Sequence, residues 1–208
     1  MCKSLRTNKL DVSLTTARTL HLQSVSDNVV IRNANAQGGF ALIDMIFVCG
    51  LIGLLSGIAL PRLMLAKQAA GSASAIGSMR VLSSAQLTFA LTCGSGFYAP
   101  KLTTLGTPPP GSTEAFVSPD LTNADSIIKS GYVIQMAAAP YTGAPSTCNG
   151  LPPDQAGQGF RAAADPTETQ NLRFFGINSY GIVYEDVISL FAPMPEVGEP
   201  SAGHPLTR

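Results

Sequence analysis

Charge is scarce in this chain. Asp, Glu, Lys and Arg make up 12% of it, about half the usual share of a globular protein. The formal net charge is zero, which removes any bulk electrostatic case for a nucleic-acid partner. Histidine is rarer still: His21 stands near the start, His204 near the end, and none lies between them. That excludes histidine-pair metal sites and histidine acid–base chemistry from the body of the chain. No CxxC and no P-loop occur. The glycine-rich stretch GSGFYA lacks the preceding strand and following helix that a nucleotide fingerprint requires. The acids of "DPTETQN", Asp165 to Asn171, do not supply the several oxygen ligands that calcium wants. Enzymatic function, metals and cofactors are therefore not expected.

Lys and Arg are also missing from Phe40 to Leu60, and there the chain is conspicuously apolar. "QGGFALIDMIFVCGLIGLLSGIALP", Gln37 to Pro61, holds one carboxylate, Asp44. A run of about 20 apolar residues spans a bilayer as a helix, whereas the apolar core of a secretory signal is about 7–15 residues long. Residues 1–39 carry five basic residues (Lys3, Arg6, Lys9, Arg18, Arg32) against Asp11 and Asp27, and residues 40–208 carry eight basic and eleven acidic. A basic segment before an apolar run keeps the N-terminus in the cytoplasm and sends the rest across. Of the four cysteines, Cys2 and Cys49 lie in the leader and the apolar run. Cys93 and Cys148 lie in the exported part, where an oxidising compartment favours a disulfide over two free thiols.

Beyond Pro61, Ala, Leu, Met, Gln and Ser dominate, with no further proline before Thr92. A helix is expected to continue to about Thr92, kinked or locally melted at Pro61. Ile76, Met79, Leu87 and Ala90 are assigned to one face of it, and Leu82, Ala85 and Phe89 to a nearly opposite one. Two apolar faces require two partners: the protein's own domain and neighbouring copies, or burial on both sides within one domain. Asp44 is costly inside an apolar run, by about 2.5–3.5 kcal/mol at a helix centre and less near the interface. Its cation must come from outside the run. Cleavage after Gly39 would supply one, the new α-ammonium of Phe40.

"GGFALIDMIFVCGLIGLLSGIALPRLMLAKQAA" resembles the N-terminal region of type IV pilins and pseudopilins. In that family a basic leader ends in Gly, Phe follows, an acid stands at the fifth mature position and a proline at the twenty-second. Phe40, Asp44 and Pro61 fall on those positions. The resemblance implies cutting between Gly39 and Phe40 by a prepilin peptidase, N-methylation of Phe40, and polymerisation into a helical filament by inner-membrane assembly machinery. It implies register set by the Asp44–amine pair, with Gly53 and Gly57 easing helix approach or loosening. The acid here is Asp where the family usually has Glu, and the leader is long. Gly39 itself suits an extended, accessible cleavage junction, since glycine resists helix continuation.

After Cys93 the composition turns to Gly, Pro, Ser and Thr. One helical turn is expected around Lys101–Leu105, a turn at Ser130-Gly131, and strands at Tyr132–Ala137, Gly159–Ala164, Leu172–Ile177 and Ile182–Val187. "NSYG" before Ile182 reads as a hairpin turn with Gly181 at positive φ. The aromatic residues Phe97, Tyr98, Tyr132, Phe174, Phe175 and Tyr184 are assigned to core and hairpin packing. The tail "APMPEVGEPSAGHPLTR" is expected to be poorly ordered. The fold class is thus α+β, a long N-terminal helix packed on a small antiparallel sheet, pilin-like. Its segments are a cleaved leader 1–39, a membrane and assembly helix 40–61, an exposed amphipathic half 62–93, a globular part 94–191 and a tail 192–208. The expected function is a structural filament subunit, found as a precursor in the inner membrane and as a filament at the surface or in the periplasm. The alternatives are a pseudopilin of a type II secretion system and a membrane-anchored binding domain that never polymerises.

Overall fold

The computed structural model describes residues 38–206. Residues 1–37, with Cys2, His21 and all the basic residues of the expected leader, lie outside the described residues. A boundary between two compact units falls inside the first helix, at Gly50–Leu51.

The first element, α1, runs from Gly38 to Thr92, 55 residues. It stays helical on both sides of Pro61, so the locally melted segment expected there is not found. Proline removes one backbone donor, the partner of the Gly57 carbonyl. A long helix absorbs that single loss.

The second half of α1 settles its own facing. Ser72, Ala75, Met79, Leu82, Gln86, Phe89 and Cys93 are all buried. They follow one another at alternating steps of three and four, which is one continuous stripe. Met79 and Leu82 therefore share a face, as do Ala85 and Phe89, and the expected division into two apolar faces is corrected. Ile76 is half-buried and Leu87 exposed. Positions three apart differ by only about 60° around a helix, which the two-face assignment overlooked.

The rest is α+β. α2 (Leu102–Leu105) and α3 (Pro119–Thr122) are single turns. The strands are β1 (Ser126–Lys129), β2 (Tyr132–Ala137), β3 (Arg161–Pro166), β4 (Phe174–Asn178), β5 (Val183–Asp186) and β6 (His204–Pro205). They form one antiparallel sheet in chain order. Four strands were expected and six are present, with β1 and β6 added at the edges. The β1–β2 turn places Ser130 and Gly131 both at positive φ (52° and 81°), the backbone of a tight hairpin whose twist matches its strands. Gly181 has φ 73°, as its turn required.

One face of the sheet meets the helix. Ile134, Ala164 and Phe175 stand in register across β2, β3 and β4, and Met136, Ala162 and Ile177 form the next row. All six are buried in one cluster with Met79, Leu82 and Phe89 of α1. The central strand contributes only alanines, so the large helix side chains fill space above it. Gln86, wholly buried, donates through Nε2 to the Ala99 carbonyl (2.8 Å) and accepts from the Ala99 N–H through Oε1 (2.9 Å). That pairing ties the loop after α1 back onto the helix. Cys93 and Cys148 form the expected disulfide. Closing a loop of 55 residues stabilises the fold by about 4 kcal/mol on the chain-entropy account.

The other face is covered by residues 189–198, so the first part of the 192–208 tail packs on the sheet where poor order was expected. Leu190 and Met194 are buried with Tyr184. They lie directly over Gly176, where an added Cβ would come within 2.6 Å of Met194 Cε and 2.9 Å of Leu190 Cβ. Asn178 Nδ2 donates to the carbonyls of Pro195 (3.1 Å) and Gly198 (2.7 Å), and Glu196 Oε1 accepts from the Ala139 N–H (2.6 Å). Asp165 Oδ2 accepts from Ser189 Oγ at 2.7 Å. Burial pushes the Asp165 carboxyl up from its usual range.

Candidate functional site: the exposed faces of the long helix

The first turns of α1 hold Gly39 and Phe40 in helical backbone, where an extended junction was expected. Helix-forming residues follow immediately, and one glycine costs a helix only about 1 kcal/mol. Asp44 lies one helical turn beyond Phe40. It is exposed, and no hydrogen bond or ion pair is formed by it among the described residues. From Leu42 to Leu65 the large apolar side chains are exposed all around the helix, from Val48 at 45% to Ile43 at 70%. Nothing lies within 4 Å of a Cβ built on Gly53 or Gly57. This helix is long and apolar enough to cross a membrane. Cys49 is free and exposed within the same run.

The half of α1 that carries the domain has a second, outward face. Ala73, Gly77, Arg80, Val81, Ser84, Leu87, Thr88 and Leu91 are exposed on it. Its hydroxyls are turned inward on the helix: Ser84 Oγ donates to the Arg80 carbonyl (3.0 Å), Thr88 to Ser84 (2.9 Å) and Thr92 to Thr88 (2.7 Å). Such bonding to the preceding turn satisfies the hydroxyls within the helix. The face then offers methyl groups and small residues with Arg80 as its one charge, a surface that another helix can approach closely. Burial of both helix faces within one domain is excluded by the exposure of Val81, Leu87 and Leu91.

Elsewhere the polar groups hold the fold. Tyr132 OH contacts Ser72 Oγ at 2.9 Å and accepts from Asn171 Nδ2 at 2.8 Å, a buried link between α1, β2 and the loop before β4. Arg173 reaches both carboxylate oxygens of Glu185, Nε at 2.5 Å and Nη2 at 3.0 Å. The guanidinium holds the Glu185 carboxyl below the usual range. In the 165–171 stretch, Asp165 faces Ser189, Glu168 pairs with Lys67 at 3.2 Å and Asn171 faces Tyr132. These donors diverge to separate partners, and no metal-binding group of three or more His, Cys, Asp or Glu is found among the described residues. Tyr132, Phe175 and Tyr184 are buried, while Phe97 stacks on Tyr141 and Tyr98 tilts against Phe160. Sequence reading missed Gln86, whose polar identity reads as surface. The signal available was its place in the three–four stripe between Leu82 and Phe89.

No protein-family model, curated protein or solved structure matches this chain.

Proposed function

We propose that this chain is a structural subunit of a type IV pilus-like filament. The precursor is cut between Gly39 and Phe40 by a prepilin peptidase, and the new amine is methylated. The apolar half of α1 holds the protein in the inner membrane with its N-terminus cytoplasmic and its sheet domain exported. Assembly then transfers that half from lipid to the helices of neighbouring copies. Asp44 pairs with the Phe40 amine of a neighbour and sets the register. Gly53 and Gly57 allow close helix approach, and the contacts are heterologous, so they propagate into a fibre.

The observation that carries this reading is the sustained exposure of large apolar residues from Leu42 to Leu65 around a single carboxylate. A soluble chain does not leave such a surface in water, since each exposed Å² of it forgoes roughly 25 cal/mol. Lipid alone would account for the apolar residues and leave Asp44 without a purpose. A pseudopilin would use the same chemistry in a shorter assembly. The test is mass analysis of the N-terminus of protein taken from its native membrane. A chain beginning with N-methyl-Phe40 is expected. A chain retaining its first thirty-nine residues contradicts the proposal and favours a non-polymerising anchored domain.

A further inference from the structure

The apolar surface of α1 does not stop where its charge-free stretch ends. Arg62 is the first charge after Asp44, yet Leu63, Met64 and Leu65 remain more than half exposed. The charge-free run from Met45 to Pro61 is seventeen residues long, a little short of the roughly 20 that a helix needs to cross the hydrocarbon core of a bilayer. Leu65 therefore lies only about 5 Å along the axis past Arg62, and Lys67 about 8 Å past it, at the depth of the headgroups.

At this level the loop before β4 comes alongside the helix. Leu65, Ala69, Asn171, Leu172 and Arg173 line one groove of about 280 Å³. The loop is fixed there. Asn171 is buried and donates to Tyr132 OH, which contacts Ser72 of α1. With Asn171 pinned, the next side chain, Leu172, is held outward at 61% exposure. Arg173 lines the groove, and Arg62 and Lys67 stand on α1 three residues before and two residues after Leu65; all three are exposed. Glu168 and Glu185 pair with Lys67 and Arg173 respectively, which leaves one net positive charge on the five groups. Leucine and methionine under a rim of long cationic side chains is the composition of a membrane–water interface, where apolar stems lie at the boundary and charged heads reach the phosphates.

We infer that residues 170–173, together with Leu63–Lys67 of α1, form a second membrane contact that seats the globular part on the phospholipid headgroups of the exported leaflet. Leu172 enters the interface and Arg62, Lys67 and Arg173 face lipid phosphate. This contact fixes the tilt and rotation of the domain on the bilayer before assembly, and it must be released when the subunit leaves the membrane. The inference rests on the membrane-anchored state within the proposed function, and does not require polymerisation.

The chain contains no tryptophan, so one introduced indole is an unambiguous reporter. The full chain is reconstituted into phosphatidylglycerol/phosphatidylethanolamine vesicles, with or without lipids brominated near the top of the acyl chain. Leu55→Trp reports insertion of α1, Leu172→Trp the proposed contact, and Leu91→Trp the far end of the helix. All three positions are exposed, so the substitutions leave the core intact. L172W is expected to emit at shorter wavelength than L91W and to lose most of its fluorescence to the brominated lipid, as L55W does, while L91W is unaffected. Quenching of L55W without L172W overturns the second contact and leaves the anchored reading standing. No quenching of L55W overturns both. Equal quenching of L91W and L172W also overturns the inference, because the domain would then lie on the lipid without using this loop.

Discussion

The two halves of α1 meet opposite fates. Between Leu42 and Leu65, leucine and isoleucine point in every direction and all are exposed; between Ser72 and Cys93 a single stripe is buried against the sheet. Composition and spacing both separate them: the first half is mostly leucine, isoleucine and other large apolar residues, the second mixes them with serine, threonine and alanine. The second half places apolar or small residues at alternating steps of three and four and puts glycine, serine and threonine on the opposite side. One sheet can cover that stripe completely. The first half has no polar side to give to water, so no single layer of its own domain would suffice, and it must be surrounded.

That contrast can be broken by substitution. Phe89→Ala removes a fully buried ring packed edge-on against Phe116. It should cost about 3–5 kcal/mol of domain stability by denaturant unfolding in detergent. Leu55→Ala in the exposed half should cost almost nothing in the same assay. A large loss for L55A would show that the first half is covered by the chain itself. Replacing both Cys93 and Cys148 by serine should cost about 4 kcal/mol, and reducing agent should lower the midpoint of the native chain by the matching amount. Gln86→Leu keeps the volume but leaves the Ala99 N–H and carbonyl without partners, and about 1–3 kcal/mol should be lost. Leu87→Ala, on the outward face one position along, should stay within about 0.5 kcal/mol.

The smallest effects are those of pH, and they run in opposite directions. Arg173 depresses the Glu185 carboxyl, so its stabilisation is present at neutral pH and lost as pH falls through the folded value, below the usual carboxylate range. Burial raises Asp165, so its ionised form penalises the fold. That penalty is absent below the unfolded value and appears as pH rises through the folded one. Glu185→Gln should therefore lose up to about 1 kcal/mol at pH 7, given how exposed Arg173 is. Asp165→Asn should be neutral or slightly stabilising at pH 7, with the difference vanishing in acid. Unfolding midpoints measured from pH 3 to pH 8 check both signs.

Legibility along the chain followed the locality of the signal. The extent of α1, the Ser130-Gly131 and Gly181 turns, and strand β2 with both ends at Tyr132 and Ala137 were readable because each rests on a few neighbouring residues. β3 was placed two residues early and β4 began at Phe174 where Leu172 was expected. Leu172 looks like strand but points to the outside of a pinned loop. β1 is four residues long and was not among the expected strands; it exists because the tight turn folds it onto β2. The tail was missed for a different reason. Its order depends on Gly176 and Asn178, residues in another strand that make room for Leu190 and Met194 and hold the backbone over them. Of the candidate site, the sequence showed the acid and the apolar run. It did not show the outward face of the second half, because Ser84, Thr88 and Thr92 read as polar until their hydroxyls are seen bonded to their own helix.

The most direct measurement is the yield of sheared filaments from cells carrying Asp44→Ala, with the membrane fraction assayed in parallel. The account expects normal insertion and a correctly cut N-terminus, with filaments lost, because the acid acts only between subunits. Filaments at undiminished yield from the D44A chain would contradict it.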